Sequence, residues 1–107
     1  MTKETKSSEN NKPQAENIVF IGSKPFMNYI TGVVTQFSTK NQKEVIIKAR
    51  GKFITRAVDV ADGTVKRFLK DSEIRVKDVK IGSESFKNQE GKNINISTIE
   101  ICLEKKD

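Results

Sequence analysis

Val45-Ile46-Ile47-Lys48-Ala49-Arg50-Gly51-Lys52 decides how this chain folds. An apolar, β-branched run ends in three cations spaced two apart around an alanine and a glycine, the pattern of a buried strand whose end presents positive charge. Helical spacing resumes at once: Ile54, Ala57, Val58, Ala61, Val65 and Phe68 fall on one side, Arg56, Lys66 and Arg67 on others. The cations therefore stand at a strand-to-helix junction, where unpaired N–H groups and the helix dipole add to side-chain charge in attracting anions. A solvated charged loop would have the same local composition, so the rest of the chain has to separate the two readings.

Upstream, Ile18–Ile21 is a continuous apolar run ending at Gly22, as expected of an interior strand buried on both faces. Ser23-Lys24-Pro25 looks like a helix start, with Ser23 or Lys24 near the cap and Pro25 pre-set for the first turn. Met27, Ile30, Val34 and Phe37 follow at helical spacing, widened by Phe26 and Val33, and the pattern fades at Ser38-Thr39-Lys40-Asn41. The second strand covers Glu44–Ala49 and the second helix runs from about Phe53 to Leu69. Asp62-Gly63 interrupts that helix, and a mid-helix glycine costs about 1 kcal/mol relative to alanine. A kink, a close helix–helix approach or a turn would each account for it.

The C-terminal third changes period. Ile74 and Val76 alternate in one phase and Val79 and Ile81 in the other, so the phase slips near Asp78, as a bulge or strong twist would produce. Ile94 and Ile96 against Ile99, Ile101 and Leu103 predict the same slip on the returning strand. Between them Gly82–Asn93 holds only Phe86 as a large apolar residue and turns around Asn88-Gln89-Glu90-Gly91, so it should project as an arm. The expected fold is α+β: a two-layer β-α-β-α-β-β domain, two helices on a mixed four-stranded sheet, with a protruding β-hairpin arm.

Met1–Glu16 has no aliphatic residue except Met1 and Ala15 and reads as a disordered tail, leaving residues 17–107 as one domain. Its lysines and glutamates balance, so the whole net charge of +6 belongs to the folded part. A pI near 9.5 favours polyanionic partners, either nucleic acid or an anionic membrane surface. No apolar segment is long enough to cross a bilayer or to serve as a signal peptide, which points to a cytoplasmic protein without membrane insertion. Cys102 stands alone and there is no histidine, so an internal disulfide and a Cys/His metal site are both excluded, and no cofactor is expected. The acids are scattered, and neither a Walker spacing nor Ser-x-x-Lys occurs, so catalysis is not expected.

Taken together, Ile18–Ile21 with Gly22-Ser23-Lys24-Pro25, Met27-Asn28-Tyr29, Val45–Lys52 with Ala57-Val58-Asp59, Arg67-Phe68 and Ser97-Thr98-Ile99-Glu100-Ile101 resemble the Alba family of small basic nucleic-acid-binding proteins. The resemblance spans nearly all of Asn17–Lys106 and has the same β-α-β-α-β-β order. It implies a homodimer that coats double-stranded DNA, and in many relatives binds RNA, as an archaeal chromatin or nucleoid protein that condenses the chromosome. Such dimers lay a central body on the phosphate backbone while two β-arms follow the minor groove.

Residue by residue, the resemblance makes Lys24 the loop lysine and Lys48, Arg50, Gly51 and Lys52 the basic block of the body. Lys92, after Gly91, and Lys87 are its arm contacts. Phe68 becomes the aromatic at which neighbouring dimers meet in cooperative assembly; read from the residues alone, it equally ends a core stripe. In some members the loop lysine is acetylated, which would fall on Lys24. Two positions depart from the pattern: Ser23 stands where many relatives carry a second loop lysine, and Asn95 where they carry an arginine. Each lost phosphate contact lowers the salt slope by roughly 0.9, twice over in a dimer, so weaker and less salt-resistant duplex binding is expected. The alternative reading is an RNA-binding protein, a ribonucleoprotein subunit or RNA chaperone. Most of the seven aromatics fall on apolar helical stripes, so no exposed aromatic platform for single strands is expected.

Overall fold

In a computed structural model, described over residues 17–69 and 73–106, the elements run β1 (Ile18–Phe20), α1 (Phe26–Ser38), β2 (Glu44–Arg50), α2 (Ile54–Gly63), β3 (Ile74–Lys87) and β4 (Asn93–Lys105). The expected disordered tail over Met1–Glu16 lies outside the described residues. The sheet is mixed, in the order β1-β2-β4-β3, with β1 parallel to β2 and the other pairs antiparallel. Two helices cover one face of four strands, the α+β arrangement expected from the change of period along the chain.

Alternation along β2 sets the two faces. Val45, Ile47 and Ala49 point under the helices and pair with Leu103, Ile101 and Ile99 of β4; all six are buried. Ile30, Val33 and Phe37 of α1 and Ala57, Val60 and Ala61 of α2 complete this one-sided core. Glu44, Ile46, Lys48 and Arg50 point to the opposite face, which none of the described helices covers.

Four local readings change. β1 is an edge strand, not an interior one: Val19 and Ile21 face the core, but Phe20 projects onto the uncovered face at 69% exposure. Pro25 is itself the cap residue of α1, with extended ψ of 142°, and no side chain caps the helix. The second helix stays α only to Gly63 and then widens into a π turn over Thr64–Phe68, closed by Leu69 N–H donating to Thr64 O at 2.9 Å. Gly63 stands where the α-helix passes into the π turn, and a Cβ there would make only ordinary contact with Ile30 Cδ1 at 3.5 Å, so close helix–helix approach does not require this glycine. Lastly, the slip on β3 is a bulge between Val76 and Asp78, but β4 has none. From Asp78 opposite Cys102 to Lys87 opposite Asn93 the register runs without a break, and Ile94 and Ile96 simply take the uncovered face.

Candidate nucleic-acid interface

The residues of the basic block come together around one groove. β2 ends by delivering Lys48 and Arg50 to the uncovered face, and the chain then turns through a 3₁₀ turn, Gly51–Phe53, into α2. Gly51 makes that turn at φ +57°, a region in which a Cβ collides with the following carbonyl. Gly51→Ala is therefore expected to lower stability by about 1–2 kcal/mol, read as a shifted urea midpoint. Steric crowding adds little, because the nearest atom to the new Cβ is Ile96 Cγ2 at 3.5 Å.

Lys48, Arg50, Gly51 and Lys52 rim a groove of about 590 Å³, together with Phe20, Phe53, Glu84, Ile96, Thr98 and Glu100. Two acids reach the cations, one from the adjacent strand β4 and one from β3 beyond it. Arg50 Nη1 donates to Glu84 Oε1 of β3 at 2.9 Å, and Lys48 Nζ lies 3.6 Å from Glu100 Oε2 of β4. Both pairs are solvent-accessible, and exposed pairs of this kind contribute at most about 1 kcal/mol, so a phosphate can displace them. The lysines also lie over aromatic rings, Lys48 Nζ 5.9 Å from the Phe20 centroid and Lys52 Nζ 5.4 Å from that of Phe53.

Ser23 and Lys24 are exposed on the β1–α1 loop and do not line the groove. That loop is held by contacts the sequence did not advertise. The Tyr29 hydroxyl accepts hydrogen bonds from Gly22 N–H at 2.9 Å and Lys24 N–H at 3.0 Å, and Arg56 of α2 donates to the carbonyls of Gly22, at 3.4 Å, and Lys24. A buried tyrosine three residues inside a helix normally signals packing; its polar tip is what organises the loop.

The arm continues the β3–β4 ladder to Lys87 and Asn93. Its tip is preformed: Asn88 Oδ1 accepts from Glu90 N–H at 2.9 Å and Lys92 N–H at 3.0 Å, while Gly91 takes φ +83°. Lys87 and Lys92 are exposed there, outside the groove. Asn95 accepts from Ser85 Oγ and alternates with Ile94 and Ile96, which puts it on the face away from Arg50. Phe68, at the end of the π turn, is half-exposed.

Farther along the uncovered face the charges cancel. Lys77 Nζ binds Glu44 Oε2 at 2.6 Å, and this bond holds the Glu44 carboxyl below, and the Lys77 ammonium above, their ordinary ranges. Cys102 donates to Glu44 Oε1 at 3.7 Å; burial, then the Glu44 carboxylate, push its thiol up, so it stays protonated and unreactive. Among the described residues no group of three or more acidic, cysteine or histidine side chains could hold a metal, and no helix is long and apolar enough to cross a membrane.

Three comparisons with known proteins agree. The sequence model of the Alba family matches residues 17–83. The DNA/RNA-binding protein Alba of Methanococcus maripaludis is 49% identical over 88 residues, which cover 82% of this chain and 97% of that protein. DNA/RNA-binding protein Alba 1 of Archaeoglobus fulgidus is 53% identical over 92 residues, covering 86% and 99%. Alba from Thermoplasma volcanium superposes with a TM-score of 0.75 at 44% identity, over 83% of this chain and all of that one. These relatives carry the names of nucleic-acid-binding proteins. With the family pattern, the identity and the fold all in agreement, this chain belongs to the Alba family.

Proposed function

We propose that the chain is a small architectural protein that binds duplex DNA as a homodimer, mostly without sequence specificity, and associates with the chromosome. The observation that carries this reading is the convergence of Lys48, Arg50 and Lys52 on one groove at the β2–α2 junction. Cations so arranged release counterions from a phosphate backbone without reading base edges. Lys24 extends the charged surface along the β1–α1 loop and is exposed enough to be acetylated. The arm, with Lys87 and Lys92 exposed at its tip, extends the charge beyond the body and would follow the minor groove.

Dimerisation is supported by an apolar stripe that the single chain leaves open. Val76, Val79 and Ile81 of β3 lie on the helix-side face opposite Leu103, Ile101 and Ile99, yet are 47%, 50% and 83% exposed. A stripe of this kind on an edge strand fits a two-fold contact with a second copy. Phe68 offers a further contact between dimers. The names of the relatives, DNA/RNA-binding proteins, favour RNA as the second reading.

Binding of the same mixed sequence as a DNA duplex and as an RNA duplex, across a salt series, tests the assignment. Arg50→Ala should reduce the slope of log K against log salt by roughly 1.8, because a dimer loses two phosphate contacts. A clear preference for RNA would move the protein to a ribonucleoprotein role. No binding to either duplex would leave only the fold.

A further inference from the structure

We infer that Phe20 is a stacking platform for an unpaired nucleobase, giving the groove a single-strand binding mode beside the duplex mode on which this inference rests. Phe20 is the last residue of an edge strand, at 69% exposure, while its neighbours Val19 and Ile21 face the core. Its ring therefore stands on the uncovered face and lines the groove rimmed by Lys48, Arg50 and Lys52. Its register partner on β2 is Lys48, whose ammonium lies 5.9 Å from the ring centroid.

An exposed aromatic ring flanked by cations is the minimal unit that grips single strands: the ring stacks on a base while the cations hold its phosphates. Within a duplex the base faces are already stacked on one another, so the ring has nothing to add there. A second copy of the chain is a poor occupant, because a two-fold contact through this face would set Lys48, Arg50 and Lys52 against their own copies. Charge complementarity selects a polyanion, and the ring selects one with free π-faces.

The chain has no tryptophan, so Phe20→Trp introduces a unique fluorophore at the platform. Titration with 12-nucleotide oligouridylate and oligothymidylate should quench that indole, whereas a 12-base-pair duplex should leave it nearly unchanged; whichever strand quenches at lower concentration identifies RNA or DNA as the source. Phe20→Ala and Phe20→Leu should weaken single-strand binding by about 5- to 150-fold, and duplex binding by a clearly smaller factor. The leucine variant keeps the apolar bulk and removes the π-face, which separates stacking from packing. Unquenched indole fluorescence with single strands bound, unchanged single-strand affinity in both variants, or equal loss for single strands and duplex would each overturn the assignment. Arg50→Ala in the same assays separates the two readings. If it weakens duplex binding while the indole stays silent, only the platform fails; if it weakens nothing, the groove itself is not the binding site.

Discussion

For the proposed homodimer, a Val79→Asp, Ile81→Asp double variant is expected to lose self-association and to sediment as a monomer. The bulge between Val76 and Asp78 is what puts Val76, Val79 and Ile81 on one face of an edge strand, and nothing among the described residues covers them. In a two-fold dimer each substitution occurs twice, so four aliphatic side chains are lost from the contact. Full burial of each contributes about 1.5–3 kcal/mol, an upper bound of roughly 6–12 kcal/mol for the four. Only part of such an area converts to affinity, and the carboxylates add their own desolvation cost. A rise in the dimer dissociation constant of at least about 100-fold is expected, measured by sedimentation equilibrium. Duplex affinity should fall in parallel, because two linked bodies bind with a high effective concentration and two separate ones do not. The side chains are exposed in the monomer, so far-UV circular dichroism should be unchanged. A double variant that remains dimeric would place the contact elsewhere.

Phe37→Ala has the largest expected effect on the fold itself. Phe37 heads the fully buried side chains by size, at 2% exposure in the last turns of α1, and it packs into a core that exists on only one side of the sheet. Truncating a buried phenylalanine costs about 3–5 kcal/mol, transfer and cavity together. A domain of this size has about 5–15 kcal/mol in all, so the variant should be marginal or unfolded near 37 °C. Urea unfolding should give a much lower midpoint with the slope preserved, and Phe37→Leu should recover most of the loss. An unchanged midpoint would mean that this part of the core repacks freely.

The sequence announces its elements well where one physical cause acts alone. Two-residue alternation in Val45–Arg50 and the phase slip around Asp78 are direct signatures of a half-covered strand and of a bulge, and both are present. The same inference misled at Ile94 and Ile96, because a strand can also change phase when its apolar residues serve opposite faces in turn. β1 departs from its pattern for a related reason: Ile18–Ile21 has the same composition whether it lies inside a sheet or at its edge with Phe20 outward. An exposed aromatic was consequently not expected, and it became the groove's most distinctive neighbour. The basic block was legible because Lys48, Arg50 and Lys52 are spaced to share a surface. Its acidic partners were not, since Glu84 and Glu100 come from strands that only the tertiary fold brings alongside. Tyr29 and Arg56 hide in the same way, as ordinary helix residues whose polar ends reach back to the β1–α1 loop.

The carboxylates beside Arg50 and Lys48 make the groove a discriminator of anion size. Each is a tethered competitor, held at an effective concentration roughly in the millimolar range or above. A free inorganic phosphate or a mononucleotide must win each cation singly against that competitor, and gains little beyond it. A strand with several phosphates displaces both carboxylates in one event and keeps its remaining contacts while doing so. Each pair is worth at most about 1 kcal/mol, so it weakens a single phosphate at its cation by up to about fivefold and favours, without requiring, a strand that meets several cations at once.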